Sequence, residues 1–374
     1  MAYSFRIWGC LILKPLTLNS FKGLCCMEKE FCSLSIGELE EFLKSLGEEK
    51  FRAGQIMDWV YAKGISEWGK TTNLSGTLKK KLQDSFVFPS LTLVRCVESR
   101  DGETLKFLWK LNDGAFIESV LIYSNRRRTV CVSSQLGCAA KCSFCASGKK
   151  GFFRNLSAAE IVEQARMANV FLRDKGEEIS HIVFMGMGEP MQNLDAVIKA
   201  IELFHAPYAM NISQRRITVS TVGIVEGINR LSEEKLKVNL VLSLHAPNQY
   251  IRKKIIPYAK KYPLEQLLLT MDRYFEKTKR DITYEYILID GVNDQVEHAM
   301  ELSKLMKGRQ STVNLIPYNP TPGLRFKKPP RESVERFRKI LSDSNIINTC
   351  RYTKGDDIAA ACGQLALWQN ENKM

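Results

Sequence analysis

The 374-residue sequence predicts an α/β protein built on a partial (β/α)6 barrel, with a small N-terminal helical domain and a β-hairpin extension ahead of it. Three observations carry this. Strand-like apolar runs alternate with helical patterns through six units, which implies parallel strands with helices over them. Before them lie strand-like runs divided by Asp101-Gly102 and Asn112-Asp113-Gly114, both tight-turn signals. Earlier still, apolar residues recur at helical spacing. The expected organisation is an unstructured or non-native extension over 1–26, a helical accessory domain over 27–90, a β extension over 91–125, the barrel over 126–345 and a C-terminal segment over 346–374.

Residues 1–26 share no pattern with the rest, and Met27 offers an alternative start. The apolar run Ile7–Leu13 is interrupted by Gly9 and Cys10 and followed by Pro15, which does not suit a signal peptide. In the helical domain, Leu39, Phe42, Leu43 and Leu46 form one stripe. Phe51, Ile56, Met57 and Val60 form a second, and Leu78, Leu82 and Phe86 a third. Gly47 and Gly64 punctuate the first two. The β extension is read as Thr92–Glu98, Thr104–Leu111 and Ala115–Tyr123. Period two puts Glu118 on one face with Phe116, Val120 and Ile122, either at an edge facing water or beside a site that uses it. The barrel strands are read as Thr129–Ser134, His181–Met185, Arg216–Thr221, Lys237–Leu244, Ile282–Ile289 and Ser311–Ile316. Ser157-Ala158-Ala159-Glu160 is a capping box that opens the clearest helix between them.

The charge balance, 54 basic against 41 acidic residues, gives a net +13 and favours a polyanionic partner. The basic residues come in short groups, Arg126–Arg128, Lys149-Lys150, Arg215-Arg216, Arg252–Lys254, Lys260-Lys261 and Lys327-Lys328. No apolar run is long enough to span a membrane. Eleven cysteines in a chain of this length are too few for a secreted disulfide framework and point to metal or redox chemistry in a reducing, cytoplasmic compartment. A monomer is the default expectation.

The centre of the sequence is Gly137–Gly148, where Cys138, Cys142 and Cys145 fall at C-x3-C-x2-C. Three thiolates on one loop suit three irons of a [4Fe–4S] cubane and leave one iron open. A structural zinc would want four protein ligands, and the nearest downstream histidine is His181. The loop follows the first barrel strand, so it sits at the ligand-binding rim. Gly186–Pro190 follows the second, where glycines allow backbone to approach a ligand. Ser220, Ser243-Leu244-His245 and Asn319 fall at later strand ends. Cys362 reads either as a small core thiol among alanines or, beside Gly363, as a nucleophile on a mobile turn over the barrel mouth.

These segments, with Leu46–Ile56, Gly151–Leu156, Asn314–Pro320 and the Asp356–Leu365 tail, resemble the RlmN/Cfr family of radical S-adenosylmethionine (SAM) RNA methyltransferases, and the pattern favours its RlmN branch. Ala140-Lys141 and Lys354, where an arginine is expected, depart from that pattern. The resemblance implies methylation of carbon 2 of an adenosine in 23S rRNA at the peptidyl-transferase centre, and of the adenosine just 3′ of the anticodon in tRNA. It implies a [4Fe–4S] cluster on Cys138, Cys142 and Cys145, two SAM per turnover and an electron donor such as flavodoxin or ferredoxin. It also implies the roles. Cys362 is the methyl-accepting thiol, Cys131 the resolving thiol that forms a transient disulfide with it, and Glu118 the proton acceptor. Gly188, Glu189, Ser220, Ser243, Leu244, His245 and Asn319 are the implied SAM contacts. Competing expectations are a Cfr-like methylation at carbon 8, a radical SAM enzyme with a non-RNA substrate, and a zinc-stabilised RNA-binding protein.

Overall fold

The computed structural model describes residues 29–351 and 354–365. The expected extension over 1–26, with Ile7–Leu13, and the alternative start Met27 lie outside the described residues.

The helical domain forms as its stripes dictate. Helix α1 (Ile36–Ser45) starts at Ser35, whose hydroxyl accepts from the Glu38 amide at 3.3 Å while Glu38 accepts back from the Ser35 amide at 2.7 Å. Helix α2 (Phe51–Met57) runs into a wide turn over Asp58–Ala62, and α3 (Gly76–Ser85) is capped by Ser75. Leu39, Leu43, Ile56, Met57, Val60, Leu78 and Leu82 are buried. Phe51 is not: it is 59% exposed and leaves the stripe assigned to it, with the Arg52 guanidinium over its ring. An unexpected two-stranded parallel pairing of Lys29–Glu30 with Phe86–Val87 closes the domain.

Ten strands form one sheet whose spatial order is the chain order. The first three, β1 (Leu91–Glu98), β2 (Thr104–Leu111) and β3 (Phe116–Ser124), are an antiparallel meander. Its turns are set by Asp101 and Asp113, each accepting from the backbone two residues on, both at 2.9 Å. The sheet continues through β4 (Arg127–Cys131), antiparallel to β3, so the β extension and the barrel share one sheet. From β4 onward the strands are parallel: β5 (His181–Phe184), β6 (Ile217–Thr221), β7 (Asn239–Ser243), β8 (Ile282–Leu288), β9 (Ser311–Pro317) and β10 (Asn348–Cys350). The last is a seventh parallel strand that the periodicity did not reveal, because three residues are too few to show a period.

Between the strands lie α4 (Ala146–Lys150), α5 (Ala158–Arg173), α6 (Leu194–His205), α7 (Val225–Glu233), α8 (Gln249–Ile255), α9 (Leu264–Thr278), α10 (Val296–Met306) and α11 (Arg331–Asp343). Helix α5 also anchors the helical domain. Its buried Glu163 accepts from the Leu91 amide at 3.1 Å, the Ser90 amide, the Cys32 thiol and Arg166. Among the described residues no helix is long and apolar enough to cross a membrane.

Candidate active site

Two adjoining cavities share Met185, Ile316 and Cys362 as a common wall; the first lies at the C-terminal ends of the parallel strands, and the second extends along β4 from Cys131 to Arg127. The first, about 130 Å³, is lined by Cys138, Cys142 and Cys145 on one side and by Gly188, Glu189, Ser220, Ser243 and His245 on the other. The cysteine loop is clamped at its base by a hairpin of Gln135–Gly137 with Phe152–Asn155, and the Cys138 amide donates to Gly151 O at 2.9 Å. Its middle docks on α8, where the Ser143 amide and hydroxyl both donate to Ile255 O, at 2.9 and 3.1 Å. Of the two departures in the loop, Ala140 is buried and Lys141 faces solvent.

Burial pushes the Cys138 thiol up to about 12 and raises those of Cys142 and Cys145. A lone thiolate is therefore disfavoured here unless a metal takes it. The donor set fits a cubane: three thiols of one loop reach one cavity wall, and the other cysteine of that cavity, Cys362, comes from the C-terminal turn.

The facing wall is preorganised. A side chain at Gly186 would meet Ser133 Oγ at 2.7 Å, and one at Gly188, whose φ is +106°, would meet the Gln135 amide nitrogen at 2.7 Å. These glycines let the loop pack on the segment after β4, a tighter demand than ligand approach alone. Glu189 is buried and accepts from the Met191 and Val222 amides at 3.0 and 2.8 Å; burial pushes its carboxyl up to about 7. Ser220 and Ser243 hydroxyls lie 3.3 Å apart. His245 Nδ1 accepts from the Ile287 amide at 3.1 Å, so the neutral ring keeps its proton on Nε2; burial and then Arg252 push its pKa down to about 3. Leu244 contributes backbone instead, its amide donating to Glu285 O at 3.0 Å and its carbonyl accepting from Arg252 at 3.1 Å.

The second cavity, about 300 Å³, holds Cys131, Cys362, Asn319, Arg351, Lys354, Thr129 and Ile122. Asn319 thus lines this cavity and not the first. Cys362 is half-buried on a turn that is tied down, contrary to the expected mobile turn. Gly363 O accepts from the Ala146 amide at 2.8 Å, Leu365 O from Ser147 Oγ at 2.6 Å, and Gln364 donates to Pro320 O at 2.9 Å. Burial raises the Cys362 thiol, and the hydrogen-bonded Arg351 guanidinium opposes that rise. Cys131 is pushed up to about 12, by burial first and then by Cys362.

Glu118 is fully buried and faces neither water nor a sheet edge, because β3 lies between β2 and β4. It pairs with Lys106 at 3.4 Å, and the same ammonium donates to Ala359 O at 3.3 Å, beneath the Cys362 tail. Val120, two residues along, is paired with Cys131, so strand register brings carboxylate and resolving thiol to one face. Lys354 bonds Glu103 at 2.9 Å and Tyr123 O at 2.7 Å, fastening the tail to the meander.

Three residues escaped the sequence reading. Arg351 follows the short β10. Glu285 sits buried on β8 at the floor of the first cavity, its carboxyl raised by burial. Arg252 was read with Lys253-Lys254 as a surface basic group, yet it is 1% exposed. Its position next to Ile251 and three before Ile255 on α8 was the available signal.

Comparison with known proteins agrees with this geometry. Residues 132–303 match the radical SAM superfamily, and residues 30–87 match the ribosomal RNA large subunit methyltransferase N-terminal domain. The chain is 61% identical over 336 residues to a probable dual-specificity RNA methyltransferase RlmN 2 of Protochlamydia amoebophila, covering 90% of this chain and 94% of the relative. It is 43% identical to the dual-specificity RNA methyltransferase RlmN of Marinobacter nauticus, covering 88% and 90%. A radical SAM methyltransferase structure from Sphaerobacter thermophilus superposes with a TM-score of 0.88 at 44% identity, covering 90% of this chain and 99% of that one.

Proposed function

The chain belongs to the RlmN family of radical SAM RNA methyltransferases, and on that footing we propose that it methylates carbon 2 of adenine in 23S rRNA and tRNA through a methylated Cys362. The observation that supports this most is the shared wall: Cys362 belongs to both cavities, so one thiol reaches the SAM side and the substrate side from a single position. A radical SAM fold implies a [4Fe–4S] cluster and SAM; Cys138, Cys142 and Cys145 would hold the cluster, which would supply the single electron for reductive cleavage of SAM to a 5′-deoxyadenosyl radical.

The chain's own residues do the rest. In the first cavity Glu189 offers a carboxylate to the SAM ammonium, while Ser220, Ser243 and the Nε2 proton of His245 offer polar contacts. Arg351 favours the thiolate of Cys362, the form that attacks a SAM methyl group. The 5′-deoxyadenosyl radical would take a hydrogen atom from that methyl, leaving 5′-deoxyadenosine, and the carbon radical would add to the electrophilic adenine carbon. Once the adduct has passed its odd electron to a one-electron acceptor of the iron–sulfur or flavin class, Glu118 takes the carbon-2 proton, and Cys131 attacks the Cys362 sulfur. The new disulfide expels the former methyl carbon as product, which takes up a proton. Reaching that carbon requires splaying the base into the larger cavity. Exposed Phe152 and Phe153, beside Lys149 and Lys150, suit stacking and phosphate contacts at the rim. The thiol chemistry fits a reducing cytoplasm; a monomer, with a flavodoxin or ferredoxin as electron source, completes the proposal.

Anaerobically reconstituted protein, given a reductant, methyl-deuterated SAM and unmodified rRNA fragments or tRNA, is expected to yield 2-methyladenosine retaining two methyl deuteriums. Labelled 8-methyladenosine would move the regiochemistry to the Cfr type. Cleavage of SAM with no labelled nucleoside would overturn the substrate assignment.

A further inference from the structure

Two arginines in the described structure are almost wholly buried, and they are solvated differently. Arg166 pairs with the buried carboxylate of Glu163 at 2.8 Å. Arg252 donates to Leu244 O at 3.1 Å, Val222 O at 2.6 Å and Ser243 O at 3.3 Å, all of them neutral backbone carbonyls. Among the described residues no carboxylate pairs with it. Glu189 is kept apart by the Val222 peptide, which donates its N–H to Glu189 and turns its C=O to Arg252. His245, the other titratable neighbour, is held neutral. A buried guanidinium without an anion costs several kcal/mol as an order of magnitude, so the fold retains a charge it has not itself neutralised.

The missing anion lies across the docked loop. Cys142 packs in one apolar cluster with Ile251 and Ile255 of α8, which flank Arg252 on that helix. Ser143, next to Cys142, bonds Ile255 O through its amide at 2.9 Å and its hydroxyl at 3.1 Å, three residues along α8 from Arg252. Arg252 does not line the first cavity, so its charge would act on a group held there without direct contact. A cubane held by three thiolates is a net anion, more so when reduced, and its potential responds to nearby charge.

We propose that Arg252 is the built-in counter-ion of the iron–sulfur cluster, a positioning residue that favours the loaded loop and the reduced cluster. This rests on the cluster occupying Cys138, Cys142 and Cys145. The first test is the midpoint potential, followed by electron paramagnetic resonance during redox titration. Arg252→Gln is expected to shift it negative and lower the iron bound per chain, whereas Arg252→Lys stays near wild type. An unchanged potential and iron content in Arg252→Gln would overturn the proposal and leave Arg252 as a clamp on strand ends. The second test needs no cluster and survives a misfolded Arg252→Gln. In apoprotein, Cys142→Asp is expected to melt higher than Cys142→Asn, because it gives Arg252 its anion; Cys138→Asp and Cys138→Asn should show no such gap. Equal melting of the Cys142 pair would sink the idea. Wild-type protein that takes up no iron would instead count against the cluster site, leaving the aspartate comparison to judge Arg252.

Discussion

The two cavities were made in different ways. The first is built largely from residues in or just past the C-terminal parts of consecutive parallel strands. The second is gathered from distant stretches: the meander, strand β4 with Cys131, the ends of β5 and β9, the residue after β10 and the C-terminal turn. On the proposed function, the first would carry the groups that bind and cleave SAM, and the second the thiol pair that directs the radical to RNA. That reading rests the SAM chemistry on strand ends, and the RNA chemistry on Cys131 of β4 together with the tail that covers it.

The largest expected effect separates the cavities outright. Cys362→Ala is expected to abolish RNA methylation while iron content and RNA binding stay near wild type, measured by nucleoside mass spectrometry and gel shift. Cys131→Ala is expected to accumulate a covalent protein–RNA adduct visible on denaturing gels. Methylation surviving in the Cys362 variant would erase the proposed division of labour.

Next comes the support beneath the second cavity. Lys106→Met removes the ammonium beside the buried Glu118 carboxylate, and removing one partner of a buried pair typically costs about 3–5 kcal/mol. Urea unfolding is expected to show a loss of that order, together with weaker anchoring of the tail through Ala359. Loss below ~1 kcal/mol would mean that water already reaches the pair.

Arg351→Met sharpens the comparison by slowing only the thiol steps. A hydrogen bond to a charged group is worth roughly 1.5–3 kcal/mol, so methyl transfer to Cys362 is expected to fall about ten- to a hundredfold. Its pH–rate profile is expected to move upward, since the guanidinium favours the thiolate. A uniform loss at every pH would point to misplaced RNA instead.

The smallest effect belongs to the first cavity. Burial raises the Glu189 carboxyl to about 7 from its ordinary value of 4.5. The folded apoprotein therefore binds this proton more tightly than the unfolded chain, so its stability falls as pH rises from about 4.5 to 7 and is lowest above. Glu189→Gln is expected to flatten that part of the melting-temperature curve; a curve still falling in the variant would assign the dependence elsewhere.

What could be read from the sequence follows the same divide. The cysteine loop, Gly188, Glu189, Ser220, Ser243 and His245 follow the ends of strands with clear apolar periodicity, so order along the chain predicted position in space. The capping boxes and Asp-Gly turns were equally local. Arg351 was not legible because β10 is too short to announce itself. Glu118 was half-legible: period two gave its face, but its burial depends on β2 and β4 closing over it. Arg252 was misread because a run of three basic residues looks like a solvated face until a helix turns one of them inward. Asn319 sits after β9 as expected, yet the bend after Pro317 carries it past the first cavity into the second.

The sheet whose spatial order matches its chain order has a temporal consequence. During synthesis each new strand finds its partner already in place at a growing edge, so the sheet extends in the direction of translation without waiting for distant sequence. The meander and the cysteine loop are finished early, whereas β10 and the Cys362 turn leave the ribosome last and close the second cavity over them. On the proposed function, the thiol that accepts the methyl group is thus the last of the described site residues to be installed, and a chain released too soon would carry the SAM-cleaving half without the part that aims it.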